Sequence, residues 1–248
     1  MEILDEEPLA IRVQGQPYAV VMRTPGDEIA HAAGFCFTEG IVDRPEEILQ
    51  IATCDTEQTN VVTVTLSPER RAGIDGYLAR RGYISQTSCG LCGKTVIEEV
   101  VQELAPMIDD TTIPLEEAEK VLRRLDALQP MRRSSAASHA AAIFDAGLAP
   151  LSVMEDVGRH NALDKAIGRL FLDCRLSLAK VVMMSSRISY ELVQKAARAR
   201  IPIVMGLSRP TRLALDLAQR LGISLAGPAK PTGLYLYCHP RRFMEPGR

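Results

Sequence analysis

The feature that most constrains the fold is a set of apolar segments in the second half of the chain. These segments are KVVMM, IPIVMGL and ISLAG, and none of them alternates apolar with polar residues. Between them lie YELVQKAARAR and RLALDLAQRL, in which apolar residues recur at helical spacing. Short apolar strands joined by amphipathic helices are typical of a sheet that is covered on both faces. The second half is therefore predicted to be α/β.

Each of these predicted strands ends in a short polar loop. The loops are SSR at 185–187, LSR at 207–209 and GPAKPTG at 227–233, and each contains small or hydroxyl residues and one base. Ligands of open α/β sheets bind beyond the carboxyl ends of the strands. The loop composition favours a site for a phosphate-bearing ligand, although three ordinary solvated loops would have the same composition.

The first half is organised differently. PLAIRVQG and PYAVVMRT are extended runs around Gly15, which predicts a hairpin, and NVVTVTLS predicts another strand. PGDEIAHAAGFCFTEG predicts a helix that ends at Gly40. Its inner face is expected to contain Ile29, Ala33, Cys36 and Phe37. The change of pattern near residue 112 predicts a smaller α+β domain over residues 1–111 and an α/β domain over residues 112–248.

Two of the six cysteines, Cys89 and Cys92, form a CxxC motif within TSCGLCGK. A structural zinc ion takes four ligands, and the chain has no second CxxC. Cys238 and the adjacent His239 can complete a Cys₃His set in space, so a zinc site stays open as a minor alternative. The remaining cysteines are scattered along the chain: Cys36, Cys54 and Cys174.

A zinc-dependent deaminase is excluded by the residues around its expected ligands. Such enzymes pair P-C-x-x-C with H-x-E, in which the glutamate is the general acid and base. Here Ser88 precedes Cys89, and none of the four histidines is followed two residues later by glutamate.

Thiol chemistry is the main interpretation of the CxxC motif. Lys94 and the helical pattern after it favour the thiolate form, as in thioredoxins. A thioredoxin, however, carries an aromatic residue before the first cysteine, and this chain contains no Trp. Glycines at positions 90 and 93 suggest a mobile loop that can carry sulfur as a persulfide from one site to another. Disulfide exchange, sulfur transfer and a turn without a role all stay open from these residues alone.

Charge and hydropathy exclude several classes of function. The net charge of −2 gives no general attraction for nucleic acid or for a membrane surface. No apolar run approaches the length of about 18 residues that indicates a membrane span. The first ten residues, MEILDEEPLA, are acidic and lack the pattern of a signal peptide. We therefore expect a cytoplasmic protein, in which a CxxC motif is seldom a structural disulfide.

Four blocks along the chain resemble one known family. They are RTPGDEIAHAAGFCFTEGIV near the start, TSCGLCGK at 87–94, EDVGRHNALDKAIG at 155–168 and SSRISYELVQKAARARIPIV at 185–204. In content and order they resemble the formate dehydrogenase accessory sulfurtransferases, the FdhD/NarQ family, over nearly the whole chain. The resemblance implies a small N-terminal α+β domain and a C-terminal, cytidine-deaminase-like, three-layer αβα domain without zinc.

The same resemblance implies a function. A homodimeric sulfurtransferase takes sulfur from a cysteine desulfurase as a cysteine persulfide. It delivers this sulfur to molybdenum (or tungsten) bis(molybdopterin guanine dinucleotide), which it binds as a substrate. The sulfurated cofactor then activates the formate dehydrogenase apoenzyme. A guanine nucleotide is the expected fragment ligand, and no resident metal is expected.

The resemblance also assigns site residues. Cys89 matches the cysteine that carries the persulfide, and Cys92 matches its partner. The cofactor-binding positions are Pro228, Ala229, Lys230, Pro231, Thr232 and Gly233. This loop departs from the usual glycine-rich pattern with arginines and an aromatic residue, because only Lys230 is basic. The bases expected to substitute are Arg159, Arg187 and Arg209.

The block EDVGRHN predicts a strand-to-helix junction with a high density of polar groups. Exposed amide groups at a helix start favour an anion, and Arg159 and His160 add hydrogen-bond donors. A helix cap by Asp156 or Asn161 with a turn at Gly158 would explain the same residues without any ligand.

Two further functions stay open beside sulfur transfer. The first is a chaperone that binds the molybdenum cofactor and ferries it without using the thiols. The second is a CxxC protein that exchanges thiols and disulfides. Replacement of Cys89 by alanine separates the sulfurtransferase from the chaperone.

Overall fold

The computed structural model describes residues 2–53, 60–80, 84–85 and 104–245 of the 248-residue chain. Cys54, Cys89, Cys92, Lys94 and the start of the helix expected after the CxxC motif lie outside these residues. Among the described residues no helix is long and apolar enough to cross a membrane.

The helices of the described residues fall on both sides of residue 111. They are α1 (Glu28–Thr38), α2 (Pro68–Arg80), α3 (Leu115–Arg123), α4 (Pro130–Ser135), α5 (Arg159–Leu172), α6 (Tyr190–Arg198) and α7 (Arg212–Leu221).

A five-stranded sheet is built from the N-terminal residues. Its strands are β1 (Glu7–Val13), β2 (Gln16–Arg23), β3 (Ile48–Thr53), β4 (Val61–Leu66) and β5 (Ile84–Ser85), in the order β3-β4-β1-β2-β5. Strands β1 and β2 form the predicted antiparallel hairpin, and Gly15 adopts a φ of 74° in its turn. A two-stranded pair, β6 (Ile113–Pro114) with β13 (Phe243–Met244), lies elsewhere in the molecule.

The C-terminal residues form a six-stranded sheet. Its strands are β7 (His139–Phe144), β8 (Pro150–Asp156), β9 (Val181–Met184), β10 (Ile203–Gly206), β11 (Ser224–Pro228) and β12 (Leu234–Cys238). They lie in the order β12-β11-β10-β9-β7-β8. The three central strands β9, β10 and β11 are parallel, which confirms the α/β prediction. Strands β7 and β12 run antiparallel to their neighbours.

Both faces of this sheet are covered. Along β9, Val182 and Met184 face the core that includes α5, α6 and α7, whereas Val181 and Met183 face a second core that includes α3. Successive side chains of a strand point to opposite faces, so a strand buried on both sides must be apolar throughout. The layers agree with the predicted architecture. Its likeness to cytidine deaminases stays a prediction.

The two large sheets share one hydrophobic core. Residues of the five-stranded sheet such as Leu9 and Val62 belong to the same buried cluster as Val182 and Val204 of the six-stranded sheet. Helix α1 lies between the two sheets and packs along α5. The proposed division at residue 111 separates the two sheets in sequence, and its status as a domain boundary stays a prediction.

We call the contact of α1 with α5 and α6 the joint. A Cβ atom on Gly34 would overlap the carbonyl oxygen of Asp164, and one on Gly168 would overlap the carbonyl oxygen of Ala30. The backbones of the two helices therefore touch, and only glycine fits at both positions.

The joint also contains a buried ion pair. The Nζ atom of Lys195 lies 2.9 Å from Asp164 Oδ2 and 3.6 Å from Glu39 Oε1, and it donates to Thr38 Oγ1 at 2.9 Å. Burial alone would lower the pKa of Lys195, but the carboxylates of Asp164 and Glu39 outweigh burial and raise this pKa. The lysine is therefore charged and paired.

One detail of the predicted helix over residues 25–40 is wrong. Ile29 is 48 % exposed, whereas Ala33, Cys36 and Phe37 are buried as expected. All residues from Ala30 to Thr38 are buried, because α1 is enclosed by a sheet and a helix rather than packed on one face. Ile29 lies in the first turn, before the helix enters this enclosure.

Candidate functional site

Four strands of the six-stranded sheet end on one side of the molecule. Strands β9, β10 and β11 are parallel, and β8 has the same direction because both β8 and β9 are antiparallel to β7. The loops at 185–187 and 207–209 follow these ends directly, as predicted. Of the loop predicted at 227–233, Gly227 and Pro228 belong to β11, and residues 229–233 follow the strand. We call this side of the sheet the carboxyl edge.

The loop expected to contact the cofactor connects β11 to β12 at the carboxyl edge. The backbone N–H of Ala229 donates to the carbonyl oxygen of Gly233 at 2.9 Å, which closes the loop on itself. Gly233 adopts a φ of 92°, a conformation that favours glycine. Lys230 is exposed at the tip of the loop.

A cavity of about 760 Å³ lies against this loop, and we call it the edge cavity. Its lining consists of Arg123, Leu207, Ser208, Arg209, Pro228, Ala229, Lys230, Tyr235 and Tyr237. Three of the six residues assigned from the resemblance therefore line it. Pro231, Thr232 and Gly233 belong to the same loop but are not among the lining residues.

Three cations and two aromatic rings surround the edge cavity. The cations are Arg123, Arg209 and Lys230, and no carboxylate is found among the described residues of the lining. The rings of Tyr235 and Tyr237 lie 6.3 Å apart between centroids. Burial raises the pKa of Tyr237, so its hydroxyl group stays protonated at neutral pH. Such a lining suits an anion that carries a flat apolar group.

The sequence reasoning missed part of this lining. Tyr235 and Tyr237 alternate along LYLYC, a period-two signal that predicts a strand and places both rings on one side. Arg123 is on a helix more than a hundred residues earlier in the chain, and no local pattern indicates that it reaches this loop. Of the three bases expected to substitute, Arg209 lines the edge cavity, whereas Arg159 and Arg187 do not.

Asp156 has a structural role in the described part of the chain. Its side chain is fully buried and lies 2.8 Å from Lys165 Nζ. It also accepts hydrogen bonds from the backbone N–H of Thr24 at 3.1 Å and from the side chain of Asn161 at 2.9 Å. Gly158 supplies a further N–H at 2.8 Å. These contacts connect β2, β8 and α5, so the carboxylate links the two sheets and does not face a ligand.

His160 stands at the first turn of α5, at the carboxyl edge. Its Nε2 atom lies 3.1 Å from Glu191 Oε2 and 3.4 Å from Ser189 Oγ. Burial alone would raise the pKa of Glu191, but the hydrogen bonds from His160 and Ser189, together with the nearby positive charges, outweigh burial and lower this pKa. A hydrolytic triad needs serine and carboxylate on different ring nitrogens, so this geometry does not form one.

The three cysteines in the described residues differ in environment. Cys36 is fully buried, and burial, with the charges of Asp164 and Glu39, raises the pKa of its thiol far above the usual range. The thiol of Cys238 is buried and donates to the carbonyl oxygen of Ile223 at 3.2 Å. Cys174 is exposed. Only Cys174 is therefore open to reaction within this part of the chain.

The described residues contain no cluster of metal ligands. In the described ranges, no three His, Cys, Asp or Glu side chains are grouped so that they could hold a metal ion. His239 Nε2 lies 3.0 Å from the carbonyl oxygen of Gln219, and Cys238 is turned to Ile223. A zinc site that combines these two residues with Cys89 and Cys92 involves residues outside the described part.

Comparisons with known proteins agree with the resemblance drawn from the sequence. A curated protein of Xanthomonas campestris pv. campestris, named sulfur carrier protein FdhD, is 38% identical over 238 residues, which cover 96% of this chain and 84% of that protein. A Streptomyces coelicolor protein of the same name is 39% identical over 246 residues, which cover 95% of this chain and 86% of its own length.

A crystal structure gives the same result at the level of the fold. It is that of a candidate formate dehydrogenase accessory protein from Desulfotalea psychrophila, with a TM-score of 0.76 and 25% sequence identity. The match covers 98% of this chain and 90% of the other. The model of the FdhD/NarQ family matches residues 4–244. The chain therefore belongs to the FdhD/NarQ family.

Proposed function

We propose that this protein is a sulfur carrier for the maturation of formate dehydrogenase. In this proposal it accepts sulfur from a cysteine desulfurase as a persulfide on Cys89. It then delivers the sulfur to molybdenum or tungsten bis(molybdopterin guanine dinucleotide), which it binds as a substrate. Relatives that are 38% and 39% identical over nearly the whole chain are named sulfur carriers, which supports the coarser part of the proposal.

The observation that carries the binding part of the proposal is the edge cavity. Three cations surround a space without a described carboxylate, at the loop that the resemblance assigns to the cofactor. Guanidinium and ammonium groups bind phosphate oxygens through charge-assisted hydrogen bonds. Tyr235 and Tyr237 offer aromatic rings on which a guanine base can stack. A guanosine diphosphate group therefore fits the chemistry of this lining.

The proposed thiol chemistry balances in two steps. In the first, the Cys89 thiolate attacks the terminal sulfur of the desulfurase persulfide, which leaves the persulfide on Cys89 and a free thiolate on the desulfurase. In the second, the Cys92 thiolate attacks Cys89 Sγ, so that a Cys89–Cys92 disulfide forms and the terminal sulfur leaves as hydrosulfide. The transferred sulfur gains two electrons and the two cysteines lose them. A cellular dithiol reductant then restores both thiols.

The remaining parts of the proposal concern location and assembly. We propose a cytoplasmic homodimer that meets the desulfurase and the formate dehydrogenase apoenzyme in turn. Nucleic acid and membrane are not among its proposed partners, since the net charge of −2 favours neither. Light scattering at micromolar concentration tests the assembly, and a monomer would contradict it.

Mass spectrometry tests the sulfur carrier directly. After incubation with a cysteine desulfurase and cysteine, the protein should gain about 32 Da, the mass of one sulfur atom, in a form that a reductant removes. Peptide mapping should place the sulfur on Cys89. Cys89→Ala should lose the added mass, whereas Cys174→Ala, which removes an exposed thiol, should retain it.

The chaperone is the second candidate, because the edge cavity offers binding chemistry that needs no thiol. Under that function, Cys89→Ala would still activate formate dehydrogenase in a reconstituted assay. Under the proposed function, this variant binds the guanine nucleotide but fails to activate the enzyme. Sulfur found only on Cys36, Cys54, Cys174 or Cys238 would contradict the assignment of Cys89 as the persulfide carrier.

A further inference from the structure

Two side chains of helix α3 form hydrogen bonds with the backbone of the loop after β11. Glu119 Oε1 accepts a hydrogen bond from the backbone N–H of Gly233 at 2.7 Å. Arg123 Nη2 donates to the carbonyl oxygens of Ala229 and Pro231 at 3.3 and 3.5 Å. Arg123 Nε donates to the same Glu119 oxygen at 2.7 Å. The two side chains and the loop therefore form one connected network.

The loop depends on this network for its position. Lys230, Pro231 and Thr232 are exposed, so they contribute little apolar burial to fix the loop. Helix α3, by contrast, is fixed to the core beneath the sheet through Ala118 and Leu122, which are both fully buried. The hydrogen bonds from α3 therefore restrain the position of the exposed loop relative to the core.

The pair of Arg123 with Glu119 differs from a second ion pair of the same spacing in the chain. Arg212 and Asp216 on α7 also have the i, i+4 spacing and lie 3.0 Å apart, with side chains 87% and 49% exposed. Exposed pairs of this kind contribute little to stability. Glu119 differs because its side chain is 20% exposed and also accepts from the backbone of the loop. The bonds from Gly233 and Arg123 lower the pKa of Glu119, so the carboxylate stays charged at neutral pH.

Arg123 keeps donors available for a ligand. A guanidinium group has five N–H bonds, and the contacts above engage those of Nε and Nη2. Within the described residues, Nη1 makes no hydrogen bond, and the side chain lines the edge cavity. A guanidinium that is already fixed in orientation loses little entropy when it binds phosphate.

We infer that Arg123 is a phosphate-binding residue of the edge cavity and that Glu119 is its positioning residue. The ligand class is a nucleoside diphosphate, or the corresponding part of a larger dinucleotide. Arg123 then supplies, from a helix that lies far away in the sequence, the arginine that the 228–233 loop lacks. This inference rests on the proposed function, since it takes the edge cavity as the nucleotide site.

Calorimetric titration with guanosine diphosphate and with guanosine tests the inference. Arg123→Ala should weaken binding of the diphosphate by about tenfold or more, the loss expected for a charge-assisted contact. Guanosine binding should stay within about twofold of wild type, because guanosine has no phosphate for the arginine to bind. Arg123→Lys, which keeps the charge without the planar fork, should lie between the two.

Glu119→Gln isolates the positioning role. Glutamine still accepts from Gly233, but it holds Arg123 less firmly, so diphosphate affinity should fall by about three- to fivefold. Guanosine affinity and the thermal midpoint should not change. Matched controls are Arg124→Ala, which removes the neighbouring exposed arginine, and Arg212→Ala, which breaks the pair on α7. Both should bind the diphosphate as wild type does.

Three results would overturn the inference. Equal diphosphate affinity in Arg123→Ala and Arg124→Ala would show that Arg123 does not contact the phosphates. An equal loss for guanosine and its diphosphate would show that Arg123 only shapes the loop. Failure of the wild type itself to bind the diphosphate would overturn the nucleotide site in the proposed function, and this inference with it.

Discussion

The joint and the carboxyl edge both hold many charged residues, but they use them in opposite ways. In the joint, Lys195 is buried and surrounded by Asp164 and Glu39. At the carboxyl edge, Lys230 and Arg209 are exposed beside a cavity whose described lining contains no carboxylate. Buried charges that neutralise each other hold a structure together, whereas exposed cations beside a cavity are available for an anion.

This contrast shows that polar residues in the sequence blocks need not belong to a binding site. Residues 28–38 of the first block and the DKAIG part of the third block fall in the joint, although both contain charged residues. The short PAKPTG segment contains only one charge, yet its first three residues line the edge cavity. Polar density alone therefore does not separate structural from functional segments, and burial with pairing does.

The largest expected effect comes from breaking the buried pair of the joint. Lys195→Met leaves Asp164 buried without its counter-charge, so the free energy of unfolding should fall by about 3–5 kcal/mol. Chemical denaturation measures the loss. Arg212→Met, which breaks an exposed pair, should cost less than about 1 kcal/mol. Because a buried pair can be replaced by apolar residues, Asp164→Leu/Lys195→Met should recover part of the loss; no recovery would argue against charge pairing as the cause.

The second prediction tests the close approach of the helices. Gly34→Ala places a methyl group against the backbone of Asp164, so α1 and α5 must separate, at a cost of about 1–3 kcal/mol or more. The thermal midpoint should fall accordingly. Gly73→Ala on α2 is the control, because its Cβ atom would meet nothing within 4 Å and alanine favours the helix. Equal thermal midpoints for the two variants would show that α1 and α5 can separate at little cost in stability.

The third prediction applies a charge change to the carboxyl edge. Lys230→Glu should weaken binding of guanosine diphosphate by about 1–3 kcal/mol without lowering the thermal midpoint, because Lys230 is exposed. Persulfide loading of Cys89 should stay intact. Arg44→Glu is the control, since its side chain is 76% exposed and does not line the edge cavity. Unchanged affinity in Lys230→Glu would place the ligand elsewhere.

The smallest effect concerns pH and the joint. His31 is fully buried, and burial, with the charges of Lys165, Lys195 and Arg23, holds its pKa well below the ordinary 6.5. Below that pH the unfolded chain binds a proton that the folded protein rejects, so the stability should fall as the pH falls, by about 1.4 kcal/mol per unit.

Denaturation of wild type and His31→Gln at several pH values isolates this contribution. The variant should lose stability overall, and its dependence on pH should be shallower below about pH 6.5, since one titrating group is gone. His139, whose pKa is also lowered, remains in both proteins and contributes equally. If stability depends on pH in the same way in both proteins, folding does not lower the pKa of His31.

Much of the fold could be predicted because it depends on local patterns. The apolar runs of β9, β10 and β11, the hairpin at Gly15 and the end of α7 at Gly222 follow from periodicity and from turn residues. Strands β3 and β8 could not be predicted in this way, because their residues are largely half-buried or exposed and the apolar signal is weak.

The candidate site was predictable only in part, for a different reason. The loop at 228–233 follows a strand, and the resemblance assigns it to the cofactor. Arg123, however, reaches Ala229 across 106 positions, and Asp156 binds Thr24 across 132. Contacts over such separations are set by packing and leave no periodic signal in the sequence. For this reason the sequence indicates at most a helix cap for Asp156, whereas the structure shows that Asp156 links two sheets.

The joint also has a consequence for how the chain is made. Thr38 binds Asp164 across 126 positions, so the apolar sides of α1 cannot be covered until α5 has been synthesised. At about 5–20 residues per second, that interval is on the order of ten seconds. During it the nascent N-terminal half exposes the apolar face of α1 that later packs on α5, which is the kind of surface that chaperones bind. Slow codons between the two helices would lengthen this exposure and lower the yield of soluble protein.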